Sequence, residues 1–242
     1  MSAAAAQAAS GGTFAVVDWG NPQDIYNWMM RSQTTAPFED LERASRRLLE
    51  IDPIPVRAIT ARAVLLRGAG RLDEARAELE EAIQHLPMEA ILHLNLAQVI
   101  NAAGDPVSAD ERLWRSLELD PNFPLAVDIW MAGAKSDEDS HHRLKQLVDL
   151  PKSWLARFMV EGMPRIHRGE APDPDGSLKT LLVGRLADES MGSDEAMALI
   201  RSLVGIKDPT AVAFFAGRGN GAFDPRVVRG ELSQLYADQG AH

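Results

Sequence analysis

The chain has 242 residues, of which 45% are hydrophobic and 25% charged, with a formal net charge of −10 and no cysteine. That acidity argues against general nucleic-acid binding and against docking on anionic membranes, both of which need clustered Lys and Arg. Without cysteine there are no disulfides, thiol nucleophiles or thiolate metal sites, and no apolar run approaches the roughly 18 residues of a membrane span.

Aromatics are only 6% of the chain. Ala, Leu, Arg and Glu are plentiful, and these residues lose little rotamer freedom in a helix. Met1 to Gly12 is rich in Ala and Gly and lacks the basic start of a signal peptide, so it reads as a disordered tail. Thr13 to Gly20 reads as a short extended segment against the first helix. Asn21-Pro22 opens that helix, with Asn as cap and Pro in the first turn, and Ile25, Trp28 and Met29 form its apolar stripe. Pro37 to Ile51 is predicted helical, with Leu41, Leu48 and Leu49 inward, and Asp52-Pro53 ends it.

Pro55 to Arg67 follows, with Ile59, Ala63 and Leu66 inward, and Gly68-Ala69-Gly70 breaks it. Asp73 and Glu74 favour the start of the next helix, whose stripe is Ala75, Leu79, Ala82 and Ile83. Met88 to Ala102, the turn Gly104-Asp105-Pro106 and Val107 to Leu119 repeat the scheme. Pro53, Pro87 and Pro121 lie 34 residues apart, as do Gly70 and Gly104, Ala75 and Ala109, and Leu79 and Leu113.

The pattern resembles the tetratricopeptide repeat, a helix–turn–helix unit of 34 residues. Ile59, Ala63, Leu66, Ala75, Leu79, Ala82 and Pro87 match it in the first clear unit. Leu96, Ala97, Ile100, Ala109, Leu113 and Pro121 match it in the second. His93 and Ser116 depart from it there. The unit from Pro22 keeps Ile25, Trp28, Leu48 and Pro53, but has Leu41 and Ser45 where Ala and a large residue are usual.

Beyond Phe123 the register fades. Pro124 to Ala134 and Ser140 to Leu150 form a pair that stops early, at Pro151. A helix from Ser153 carries Trp154, Phe158 and Met159 and is perturbed near Pro164. Gly169 to Gly176 is the clearest internal loop. Leu178 to Glu189 and Ser193 to Ile206 echo the repeat through Gly184, Ala196 and Ile200. Thr210 to Ala216 is short and apolar, Gly217 to Gly221 is a turn, and a last helix after Asp224-Pro225 would cap the stack. The expected organisation is a tail at 1–12, repeats over 13–151 (clearest at 56–123), and degenerate helical repeats over 152–242.

The resemblance implies an all-α, right-handed α-solenoid of antiparallel helix pairs, with the first helix of each pair lining a concave groove that suits a peptide or a partner's helix. Helical spacing puts Arg57, Thr60, Val64 and Arg67 on the groove face of one helix. Ile91, Leu94, Gln98 and Asn101 take that face on the next, and Leu125 and Asp128 on the third. Arg57 and Arg67 would meet an acidic or C-terminal segment, with Ile91 and Leu94 supplying apolar contact. The family's chaperone-binding members clamp a terminal carboxylate with Lys, Asn and Arg. Asn95 matches one of those positions, but Thr60, Val64, Leu125 and Ile129 occupy the others, so that clamp is absent.

No constellation reads as catalytic or metal-binding. His141 and His142 are adjacent on a helix and point about 100° apart. Gly217 to Gly221 lacks the strand before it and the Lys-Ser or Lys-Thr after it that a phosphate loop needs. Around Asp173-Pro174-Asp175-Gly176, Ala171 and Leu182 stand where a calcium loop needs ligands. The expected role is therefore a cofactor-free, non-catalytic, cytoplasmic adaptor, scaffold or chaperone. The rival expectations are an enzyme-associated or catalytic protein with a ligand site in its C-terminal part, from Ser153 to His242, and self-association through the repeats.

Overall fold

The computed structural model describes residues 17–189, 191, 193–218 and 223–239. The tail, the start of the extended segment at Thr13 to Val16, and Gly219 to Gly221 lie outside them. All regular structure among the described residues is helical. Helices adjacent in sequence pack against one another in order, as in a helical repeat, and the chain divides into two compact units, Met1–Ser116 and Leu117–His242. Residues 117–151, grouped with the repeats on sequence, fall in the second unit.

The first unit contains α1 (Pro22–Ser32), α2 (Phe38–Ile51), α3 (Pro55–Gly68), α4 (Leu72–His85), α5 (Ala90–Ala102) and most of α6 (Pro106–Leu119). Asn21 caps α1 by accepting the Gln23 N–H. Ahead of α1, Trp19 leans on Trp28, with ring centroids 6.2 Å apart, and its carbonyl accepts from Arg47 Nε. Residues 17–20 thus pack on the first pair without forming a strand.

The 34-residue period has a hydrogen-bond basis. Gly70 (φ +74°) and Gly104 (φ +91°) end α3 and α5 in the left-handed region. Around them the same bonds recur: Gly70 N–H to the Arg67 carbonyl and Arg71 N–H to that of Leu66, then Gly104 to Asn101 and Asp105 to Ile100. Such a turn satisfies the last carbonyls of a helix and needs a residue without a Cβ penalty at positive φ.

Two apolar clusters link the helix pairs of this unit. Ile25, Trp28, Met29, Leu41, Ala44 and Leu48 with Ala58 and Ala61 join the first pair to α3. Ala63, Leu66, Ala75, Leu79 and Ala82 with Leu92, Leu96, Val99 and Ile100 join the second pair to α5. Leu49, expected inward, is exposed. The apolar stripe of α2 runs through Leu41, Ala44 and Leu48, and Leu49 points 100° away from its last member.

The polar departures from the repeat pattern are buried groups with specific partners. Ser45 is fully buried, accepts from Arg62 Nη1 at 3.1 Å and donates to the Glu42 carbonyl. Arg62 then grips both Glu78 oxygens through Nε, tying α2, α3 and α4 together. Ser116 donates to the Ala90 carbonyl at 2.8 Å. His93 places Nε2 3.0 Å from the Pro87 carbonyl, and burial holds its pKa below the ordinary imidazole value.

In the second unit α7 (Pro124–Ala132) and α8 (Asp137–Asp149) interlock through Trp130 and Arg143. Each side chain donates to the other's carbonyl, and the guanidinium sits 4.3 Å from the ring centroid. The helix from Trp154 comprises α9 (Trp154–Arg157), a π-turn (Phe158–Gly162) and α10 (Met163–His167). Pro164 therefore perturbs the helix without ending it. Proline cannot donate to the preceding turn, and the widened turn just before it absorbs the misfit.

Asp173 caps α11 (Ser177–Arg185) by accepting from Leu178 and Lys179 N–H, which gives the acidic loop a structural role. With α12 (Ser193–Gly205), α13 (Pro209–Ala216) and α14 (Pro225–Asp238), it encloses a core of Trp154, Leu182, Leu199, Leu203, Leu232 and Tyr236. Asp208 caps α13 and holds Lys179 of α11 and the Tyr236 hydroxyl of α14.

Candidate functional site

The first helices α1, α3 and α5 pack side by side, and α2 and α4 approach each other less closely. Corresponding positions on these three helices follow from the 34-residue step. They are Gln23, Arg57 and Ile91; Tyr26, Thr60 and Leu94; Met30, Val64 and Gln98; and Gln33, Arg67 and Asn101.

Arg57, expected to face a partner, is committed to the fold. Its Nε lies 2.7 Å from Asp52 Oδ2 and its Nη2 2.8 Å from Oδ1. Its Nη1 donates to Gln23 Oε1 at 2.6 Å, and the guanidinium lies 5.6 Å from the Tyr26 centroid. Burial opposes ionisation of Asp52, but the Arg57 hydrogen bonds and the Ile54 N–H outweigh it and hold the carboxyl below its ordinary range.

Leu94 is also corrected: it is 1% exposed and cannot touch a partner. Helix α5 is buried continuously from Leu92 to Ala97, so its outward face narrows to half-buried Gln98 and exposed Asn101. Ile91 is half-buried and packs on the core. Asn95 donates to the Ile91 carbonyl of its own helix. Leu125 and Asp128 are exposed on α7, in the second unit. In the first unit the face is built by α1, α3 and α5.

On α3 three residues remain. Thr60 has a buried hydroxyl oxygen with no hydrogen-bond partner among the described residues. Val64 lines a cavity of about 620 Å³. Arg67 is half-buried, and burial pushes its pKa below the ordinary guanidinium value, with no carboxylate among the described residues to offset it. The contrast with its neighbours is sharp. Arg47, Arg57, Arg62 and Arg71, the other arginines of this unit that are half-buried or more, each hold a carboxylate.

The cavity adjoins this face at the turns of the first two pairs. Phe38, Leu41, Val64 and Leu65 make its apolar walls, and Gln33, Thr34 and Arg71 bring polar groups to it. Arg71 is already held by Glu42 and Glu74 and lies over the Phe38 ring. The residues that spacing on α3 and α5 missed are those of α1 and its C-terminal cap: stepping back 34 from Val64 and Arg67 gives Met30 and Gln33.

Elsewhere, His141 Nδ1 lies 2.7 Å from the Asp137 carbonyl of its own helix. No group of three or more His, Asp and Glu side chains among the described residues could hold a metal ion. In the second unit, burial raises the Asp120 pKa. It also raises that of Glu195, with Asp120 adding repulsion. Arg185 lies 3.6 Å from Glu195 and 2.9 Å from Asp188.

No known family model matches the chain, and no curated protein matches it in sequence.

Proposed function

We propose that the chain is a tetratricopeptide-like adaptor, a right-handed solenoid in its repeat region, that captures a segment of another protein without performing chemistry. One observation carries this reading. Arg67 keeps a partly desolvated charge on the first-helix face with no counter-ion among the described residues, while the other half-buried or buried arginines of the unit are all paired. An unpaired charge in that setting costs stability, and a carboxylate from a partner would offset the cost.

The partner segment is accordingly acidic, with one apolar side chain. Its carboxylate meets Arg67, its apolar group enters the cavity beside Val64, and Gln98 and Asn101 serve its backbone through their amides. The 34-residue repeat and the stacking of α1, α3 and α5 support this mode of capture. A chain free of cysteine fits a cytoplasmic setting.

The test is an array of acidic peptides with and without an apolar residue, probed with the full chain and with Arg67→Glu. The wild type should select acidic peptides carrying an apolar side chain, and the variant should lose them with its helicity intact. An unchanged binding profile in Arg67→Glu would overturn the assignment.

A further inference from the structure

The second unit holds a polar cavity that peptide capture on the first unit does not use. It has a volume of about 380 Å³ and lies where α8 gives way to α9, with Leu181 of α11 closing one side. Val148, Leu150 and Pro151 add apolar wall. Lys152, Ser153 and Arg157 line it with donors, and Asp149 is the one acid among the described residues that line it.

The turn that builds this cavity is held in an uncommon conformation. Lys152 has φ +63°, a region where a residue with a side chain is strained. Asn122, 1% exposed, holds it there: its Nδ2 donates to the Lys152 carbonyl at 3.0 Å, and its Oδ1 accepts the Leu155 N–H at 3.1 Å. The Trp154 N–H donates to the same Lys152 carbonyl. A buried amide thus fixes the backbone that presents Lys152, Ser153 and Arg157.

The donors themselves are unspent. Neither Lys152 nor Arg157 has a carboxylate partner among the described residues, and both are exposed. Ser153 is 2% exposed, and its hydroxyl has no hydrogen-bond partner among them. Buried polar groups are almost always satisfied, so an orphaned hydroxyl beside two unpaired cations points to a missing acceptor.

We propose that this cavity binds the phosphoryl group of a small phosphorylated organic molecule. A phosphoryl group offers three acceptor oxygens, which suits three separate donors, whereas a carboxylate suits a single arginine fork. The volume exceeds what the anion needs and falls within the range of small-molecule pockets, and the apolar walls take the organic part.

The experiment is an amide-resolved NMR titration of the full chain at low salt with phenyl phosphate, inorganic phosphate and benzoate. Phenyl phosphate should give saturable shifts confined to residues 148–157 and 181, binding about tenfold tighter than benzoate or inorganic phosphate. Lys152→Gly and Arg157→Gln should each weaken it about tenfold, roughly one charge-assisted hydrogen bond. Lys152→Gly should also melt no lower than wild type, since glycine suits that φ. Absence of saturable shifts at these residues, equal binding of benzoate, equal binding of inorganic phosphate, or undiminished binding in the two variants would each overturn the proposal.

Discussion

Asp52 and Asp120 occupy the same turn two repeat lengths apart, yet their carboxyls are pushed in opposite directions. Each accepts the backbone N–H two residues on, from Ile54 and Asn122 respectively. Five residues after Asp52 stands Arg57, which grips it; five after Asp120 stands Leu125, which cannot. Asp52 is thereby held below the ordinary carboxylate range, and burial leaves Asp120 above it.

Asp52 and Asp120 should therefore contribute to stability in opposite senses as pH falls. Asp120 and Glu195 have raised folded-state pKa values, so their ionisation opposes folding at neutral pH. The contribution of these two carboxyls to stability should become more favourable as pH falls from 7 toward the ordinary carboxyl range. Asp52 is depressed, so its contribution is present above the ordinary range and is lost as pH falls through its folded-state value. Hydrogen exchange of α12 amides between pH 7 and 5 should slow relative to the intrinsic rate, and Glu195→Gln should remove that change.

Substitution of Arg57 and Arg67 should separate fold from binding. Asp52 has a fully buried side chain, so Arg57→Ala strands it and should cost about 3 kcal/mol in urea unfolding. Arg67→Ala removes a partly desolvated charge with no carboxylate partner among the described residues and should leave stability unchanged or slightly improved. Equal losses in the two variants would mean that Arg67 is structural too.

Backbone conformation sets the cost at the repeat glycines. An added Cβ meets nothing within 4 Å at Gly70 or Gly104, so only the positive φ resists it. Gly104→Ala should destabilise by about 1 kcal/mol. Gly68 is equally open but ends α3 at ordinary helical geometry, so Gly68→Ala should stabilise by up to about 1 kcal/mol. Urea midpoints moving in opposite directions are the expected result.

Arg62 joins three helices through Ser45 and Glu78. Arg62→Leu should cost about 2 kcal/mol, the loss of a buried charge-assisted network. Glu78, whose side chain is 34% exposed, can turn to water, so Glu78→Gln should cost less. Chemical denaturation of both variants checks the order.

The sequence carried the architecture because the 34-residue period is enforced by local bonds. The Gly70 and Gly104 turns, the Asn21 cap and the stripes through Leu79 and Leu96 depend on neighbours in the chain. The face was harder to read. Helix α5 is buried nearly all round, so a column drawn from Thr60 to Leu94 passes from a half-buried to a buried position. The Asp52 carboxyl that engages Arg57 sits five residues upstream, beyond the three or four that helical spacing examines. The cavity beside Lys152 depends on Asn122, some 30 residues away in sequence, and no periodicity reports such a contact.

The polar replacements at Ser45 and His93 also mean that the three helix pairs are not interchangeable parts. Moving the second pair away from the first would leave Arg62 without Ser45, and a Glu78 left alone would not replace that link. Moving the third pair would take His93 from the Pro87 carbonyl. Only the Ser116 bond to Ala90 would travel with its own pair. A shuffled chain would keep every glycine turn and every apolar stripe and still assemble poorly, so the order of the pairs is written in a few buried hydrogen bonds.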